Sequence, residues 1–129
     1  MVLTVAVSPA YNRAMSTTQI TRTEQTIDGL DAIVWTITED GEQIGHLDAH
    51  TSGLILNVEV IAARQGEGFA RKLYEHADAE HGLLHVPAWG RTWEGEQFAD
   101  AMGGDTMDDE QAAEILGLDL AEMMAYGQE

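Results

Sequence analysis

The chain has 129 residues, of which 44% are hydrophobic, so it is long enough for one domain with a single core and too short for two ordinary domains. Its 23 acidic residues outnumber 6 basic ones, and the formal net charge of -17 repels nucleic-acid phosphates and anionic membranes, so we expect neither as a partner. The absence of cysteine excludes disulfides, thiolate zinc sites and a cysteine nucleophile.

The apolar runs of the sequence are short. None reaches the roughly 18 residues of a membrane span, and no basic flank precedes the apolar run in residues 1–10, as it would in a secretion signal. Together with the lack of cysteine, these features predict a cytoplasmic protein.

Strands dominate the first half of the sequence, after an N-terminal extension (residues 1–19) that contains no motif. From Ile20 onward, runs rich in β-branched residues are separated by Asp28-Gly29, Asp40-Gly41 and Thr51-Ser52-Gly53. Asp-Gly supplies the positive φ angles of tight hairpins, so the runs predict an antiparallel meander. The four predicted strands cover residues 20–26, 30–38, 43–50 and 54–60.

The hydrophobic period then changes to that of a helix. Phe69, Leu73 and Ala77 recur every four residues directly after Gly66 and Gly68, which predicts a helix from residue 69 to about residue 80. The apolar run 83–86 predicts a short strand that ends before a proline.

A second helix is expected over residues 93–102, with Thr92 as its N-cap and Gly103-Gly104 at its end. The order β-β-β-β-α-β-α predicts an α+β fold, that is, a mixed α/β layer. We therefore divide the chain into an extension (1–19), a domain (20–104) and a tail (105–129).

The C-terminal part is strongly acidic. Residues 92–129 hold eleven acidic side chains and no Lys or Arg. Short helices are expected over 111–116 and 119–126, and an amphipathic tail of this kind would pack on the domain or on a second copy of the chain, as a homodimer.

A glycine-rich turn joins the fourth predicted strand to the first helix. A helix N-terminus has unpaired backbone N–H groups and a partial positive charge, and Gly66 and Gly68 would let an anion approach that backbone closely. Arg64, Arg71 and Lys72 are half of the chain's basic residues. The pattern predicts a phosphate cradle; the alternative interpretation is a glycine-rich connection made soluble by cations.

The same turn resembles a known family. Gln65-x-x-Gly68-x-Ala70 is similar to the Gln/Arg-x-x-Gly-x-Gly/Ala signature of the GNAT superfamily of acyl-CoA N-acetyltransferases. Residues 42–47 resemble the family's third strand, and residues 98–104 resemble the helix and glycine turn after its fifth. The resemblance covers about residues 27–104, and residues 85–104 also resemble small acetyltransferase-like proteins of actinobacterial phages. A bacterial or phage-infected host cell is therefore implied.

The resemblance implies a GNAT-like fold that binds acetyl-CoA (coenzyme A) in a cleft where strands four and five splay apart. The acetyl group would pass directly to a primary amine of a small molecule or of a basic protein. The residues implied in cofactor binding are Asn57, Val58, Val60, Arg64, Gln65, Gly66, Glu67, Gly68, Phe69, Ala70 and Arg71.

Two catalytic positions of the family hold apolar residues here. Ala99 stands where many members have a general-acid tyrosine, and Leu54 stands near the place of a glutamate that some members carry. The nearest ionisable candidates are Glu59, His85 and Tyr74. These departures leave open a catalytically inactive GNAT-like interaction or virion-associated protein, and the acidic tail leaves open a mimic of DNA.

His46-x-Asp48-x-His50 would place three metal-ligand types on one face of a strand. Such a pattern is more typical of the polar face of an antiparallel sheet. We therefore expect no metal site.

Overall fold

A computed structural model describes residues 17–119 of the chain. Its sheet is a four-stranded antiparallel meander in the order β1-β2-β3-β4. The strands are β1 (Thr18–Ile27), β2 (Leu30–Glu39), β3 (Glu42–His50) and β4 (Ile55–Val60).

The first two hairpin turns form as their sequence predicts. Asp28 and Gly29 have φ angles of 50° and 82°, and Asp40 and Gly41 have φ angles of 51° and 87°. Consecutive positive φ angles match the twist of the flanking strands, which is why Asp-Gly connects them. The predicted meander is therefore confirmed.

Three helices follow the sheet within the described residues: α1 (Phe69–His81), α2 (Trp93–Met102) and α3 (Asp109–Leu116). Short 3-10 turns lie at Ala62–Arg64 and Ala88–Gly90. The Thr92 side chain accepts a hydrogen bond from the Gly95 amide at 3.0 Å and caps α2, as expected. The fold class is thus α+β.

The strand predicted over 83–86 is wrong in extent. Leu84 and His85 form only isolated parallel bridges, and the described sheet has no fifth strand. Pro87 has no N–H to continue a ladder, and the Val86 carbonyl accepts a hydrogen bond from Arg91 Nε at 2.7 Å. The segment is consequently held by a side chain and by single bridges instead of a ladder.

The main core lies between α1 and the sheet. Ile33, Trp35 and Ile37 alternate along β2 and are buried, and the four-residue spacing of α1 turns Leu73 and Ala77 onto them. Burying these side chains fixes the distance and direction of α1 relative to the sheet. It thereby also fixes the position of the turn at the start of the helix.

A second cluster attaches α3 to the edge of the sheet. Met107 and Ala112 are buried against Leu54, and the Asp108 side chain caps α3 by accepting from the Gln111 amide at 3.1 Å. Part of the predicted tail therefore packs onto the domain. The helix expected over 119–126 lies, except for its first residue, outside the described residues, as does most of the extension 1–19, and the expected homodimer stays a prediction.

None of the helices in residues 17–119 is both long enough and apolar enough to cross a membrane.

Candidate functional site

β4 is an edge strand whose outer backbone is partly unpaired. Ile61, just beyond it, donates to the Ile44 carbonyl of β3 at 2.9 Å. Because backbone direction alternates along a strand, Val58 and Val60 turn their N–H and C=O groups away from β3. In the described part of the chain, no hydrogen bond occupies either backbone group of Val58.

A groove opens where the segment that contains Leu84 and His85 separates from β4. Ile55 N–H donates to the Leu84 carbonyl at 3.0 Å, but the backbone of His85 pairs instead with Asp105 and Met107, at 2.9 and 2.8 Å. The two segments therefore diverge after one bridge. The groove between them has a volume of about 1180 Å³, and its walls include β4, the turn at Gly66 and Gly68, His85, Val86 and one side of α2.

The glycine turn lies in the wall of this groove and leads directly into α1. Gly66 and Gly68 have φ angles of 83° and 92°, values that only glycine adopts without strain. Gly68 is the N-cap, and the first turn of α1 holds no carboxylate. In the described structure, the backbone amides of residues 66–71 donate no hydrogen bond. They form a row of donors at the positive end of the helix dipole.

Two side chains hold the turn in place. Gln65 Nε2 donates to the Val60 carbonyl at 3.0 Å and ties the turn to β4. Arg64 lies over the Phe69 ring, with Cζ 4.8 Å from its centroid, and pairs with Glu39 at 2.8 Å and with Glu67 at 3.1 Å. The hydrogen bonds that Arg64 donates, first to Glu39 and then to Glu67, raise the pKa of Arg64. Its charge is thus already balanced inside the protein.

The remaining cations of the turn are freer. Arg71 Nη2 donates to the Ala101 carbonyl at 3.1 Å, and its nearest carboxylate, Glu75, is 3.9 Å away. Lys72 Nζ lies 5.2 Å from the Phe69 centroid and has no ion pair within residues 17–119. Arg71 lines the groove and keeps only this long ion pair, whereas Lys72 is not among the described residues that line it.

Glu59, a predicted catalytic candidate, lines the groove from β4. Its pKa is lowered, first by a hydrogen bond from Asn57 and then by His46. His46 lies between two carboxylates, with Nδ1 2.8 Å from Asp48 and Nε2 3.2 Å from Glu59. Partial burial lowers the pKa of His46, but the hydrogen bonds and charges of these carboxylates outweigh it, and the pKa is raised.

The other two candidates, His85 and Tyr74, lie together. Their rings stack with centroids 5.5 Å apart and planes at 8°. His85 Nε2 lies 2.6 Å from the Gly103 carbonyl, and the Tyr74 hydroxyl donates to the same carbonyl at 3.3 Å. His85 lines the groove, whereas Tyr74 is not among the described residues that do. Burial first, and then Asp78 and Asp105, raise the pKa of Tyr74, so it remains a neutral phenol.

The cofactor residues implied by the resemblance are brought together with one exception. Glu67 points toward Arg64 and is not among the described residues that line the groove; the other ten named above all line it. Ala99 and Leu54 are buried, at 8% and 0% exposure, and offer no ionisable group.

Sequence reasoning overlooked two features of the site. Gly103-Gly104 was expected only to end α2, but its first carbonyl also orients His85. Arg91 joins three segments: it donates to the Val86 carbonyl, to Thr106 Oγ1 at 2.9 Å and to Glu96 at 3.3 Å. The signal for Arg91 was available, because it is the one basic residue in positions 73–129.

Comparison with known proteins finds no match among protein-family models, among curated proteins or among solved structures.

Proposed function

We propose that the chain is an acetyl-CoA-dependent N-acetyltransferase of the GNAT type, which transfers an acetyl group to a primary amine of a small molecule or of a protein. The observation that carries the proposal is the row of unpaired amides at residues 66–71, because it lies at a helix N-terminus and in the wall of a large groove. Donors of this kind, without a carboxylate nearby in the helix, favour a phosphate group.

The groove also offers partners for the rest of such a ligand. The diphosphate would accept hydrogen bonds from the glycine turn, with Arg71 as the loosely paired cation that lines the groove. The amides of a pantetheine arm would pair with the open edge of β4 at Val58, as an added strand does. The residues that line the groove run from the glycine turn along β4 to His85 and α2, so all of these partners face one groove.

Bound in this way, the thioester would lie between β4 and the segment that carries His85. The chain's own contribution would be to hold the acetyl donor and the amine side by side, which removes much of the entropic cost of their reaction. Acetyl-CoA supplies the activated acetyl group.

Isothermal titration with acetyl-CoA tests the proposal, and α1 offers a matched pair of variants. Gly68 and Gly82 lie at opposite ends of α1 with φ angles of 92° and 83°, and an added Cβ meets nothing within 4 Å at either position. Gly68 has a ψ angle of 7° and lies in the left-handed helical region, so Gly68→Val should cost about 1–2 kcal/mol of strain. Gly82 has a ψ angle of 111°, outside that region, so Gly82→Val should cost at least as much strain and is a stringent control. Only the first valine would project into the groove.

We expect the unmodified chain and Gly82→Val to bind acetyl-CoA alike, and Gly68→Val to bind at least about tenfold more weakly, a loss of about 1.4 kcal/mol. Acetylated pantetheine, which lacks the diphosphate, should also bind more weakly. The proposal is wrong if acetyl-CoA produces no heat with the unmodified chain, or if the two glycine variants bind it equally well.

A second candidate function is a GNAT-like module that binds acetyl-CoA, or a protein partner, without catalysis. The buried Ala99 and Leu54, at two positions where family members carry catalytic groups, favour it. Thiol release from acetyl-CoA, measured across polyamines, aminoglycosides and lysine peptides, separates the two: turnover with any of these amines excludes the inactive module.

A further inference from the structure

His85 is a buried histidine in the groove wall with one ring nitrogen unpartnered. It is 4% exposed. The Gly103 carbonyl, 2.6 Å from Nε2, can only accept, so Nε2 carries the proton. Nδ1 of the neutral ring is then an acceptor, and no hydrogen bond occupies it within residues 17–119. Every fully buried side-chain polar atom described has a partner, so the unpartnered Nδ1 keeps some exposed surface, and His85 lines the groove.

The surroundings of His85 hold the ring in this orientation. The Tyr74 ring stacks on one side, and the Phe98 ring lies edge-on with its centroid 5.9 Å away. Gly104, which follows the accepting carbonyl, has a φ angle of 91°, and a Cβ at that position would overlap the Tyr74 hydroxyl. The turn that directs the Gly103 carbonyl at Nε2 therefore requires glycine.

The other ionisable candidates are less suited to accept a proton. Glu59 is exposed and already accepts hydrogen bonds from Asn57 and His46, which lower its pKa and weaken it as a base. Tyr74 is a neutral phenol that donates to Gly103. Within residues 17–119, His85 forms no ion pair and its Nδ1 accepts no hydrogen bond, so this nitrogen is the uncommitted acceptor of the three candidates.

We propose that His85 Nδ1 is the proton acceptor of the acetyl transfer, and that Gly103, Gly104 and Tyr74 are the positioning residues that hold its tautomer; this rests on the proposed function. Nδ1 takes the proton that the amine nitrogen loses as its bond to the acetyl carbonyl carbon forms. It returns that proton to the sulfur as the C–S bond breaks, so the products are an amide and a free thiol. One residue thus supplies both the base and the acid.

The tautomer can be measured without turnover. In the full-length chain labelled with ¹⁵N, long-range ¹H–¹⁵N spectra distinguish protonated from unprotonated ring nitrogens, and His85→Gln assigns the His85 signals among the five histidines. We expect a protonated Nε2 and an unprotonated Nδ1. A proton on Nδ1 would overturn the proposal.

Two variants test the positioning residues by the same signal. Gly104→Ala should move His85 to a mixture of tautomers, because the added Cβ displaces Tyr74 and the turn. If that variant does not fold, Tyr74→Leu removes the stacked ring and should have the same effect. An unchanged tautomer in a folded variant contradicts the positioning role.

Kinetics then test His85 itself, against a matched histidine. His81 also directs Nε2 at a backbone carbonyl, that of Thr51 at 2.8 Å, but it is not among the described groove-lining residues. With an amine that turns over, His85→Gln should lose thiol release by about 10²–10⁴-fold, while His81→Gln keeps it. His81→Gln should bind acetyl-CoA as the unmodified chain does, and thiol release by His85→Gln is measured at saturating acetyl-CoA.

The outcomes separate the two proposals. If the unmodified chain does not bind acetyl-CoA, the proposed function fails, and the role of His85 fails with it. If all three proteins bind acetyl-CoA and His85→Gln releases thiol as fast as His81→Gln, only the role of His85 is wrong.

Discussion

His46 shows how a single residue on the sheet couples charge to stability. Its imidazole lies between Asp48 of its own strand and Glu59 of β4, and Glu59 is the residue that the strand register places opposite His46. Both carboxylates favour the protonated ring, so the pKa of His46 is raised above 6.5 even though partial burial opposes this.

This shift predicts a dependence of stability on pH. A folded-state pKa above the unfolded value means that the stabilisation is fully present below about pH 6.5 and is lost as pH rises through the folded pKa. We expect the melting temperature of the unmodified chain to fall between about pH 6 and pH 8 by more than that of His46→Gln. The check is a set of thermal melts of both proteins at constant ionic strength; parallel curves would mean that His46 does not contribute.

Residue-level partners were the least predictable part of the site. The basic cluster around the glycine turn was visible in the sequence, but the pairing of Arg64 with Glu39 was not, because the two are 25 positions apart and meet only when β2 and the turn are in place. The same holds for His85 and Gly103, which lie 18 positions apart. Local spacing carries no information about such contacts.

At the scale of elements, local signals predicted most of the fold. Asp-Gly turns located the hairpins, and the four-residue period of Phe69, Leu73 and Ala77 located α1. The strand expected over 83–86 failed because an apolar run cannot reveal that its backbone pairs with Leu54 on one side and with Thr106 on the other. That divided pairing is what opens the groove.

The attachment of α3 yields a test at this scale. Met107 is 3% exposed and packs with Leu54 and Ala112, so Met107→Ala leaves a cavity between α3 and the sheet edge. We expect a loss of about 2–5 kcal/mol in the free energy of unfolding measured with urea. Leu118, which is 43% exposed, is the control, and Leu118→Ala should change stability by less than about 0.5 kcal/mol. Equal effects of the two changes would contradict the packing of α3.

At the scale of the whole molecule, net charge is the dominant feature. A formal charge of -17 on 129 residues makes self-repulsion a cost of the compact state. At about 0.15 M, salt screens charges that are more than about 8 Å apart. It therefore weakens the repulsion across the surface more than it weakens the attraction within close ion pairs.

Added salt should therefore stabilise this protein. We expect the melting temperature to rise as NaCl is increased from about 10 mM to about 500 mM. A falling melting temperature would indicate that the close pairs, such as Arg64 with Glu39, contribute more than the repulsion.

The whole molecule also explains how an acidic chain could hold a polyanion. The sheet and α1 place a row of unpaired backbone amides in the wall of the groove, and these donors are independent of the surrounding acidic surface. Titration of the ¹⁵N-labelled chain with acetyl-CoA, followed by amide spectra, examines this most directly. We predict that the amides of residues 66–71 and of Val58 shift first and furthest. Amides that stay unmoved there while the ligand is in excess would contradict the account.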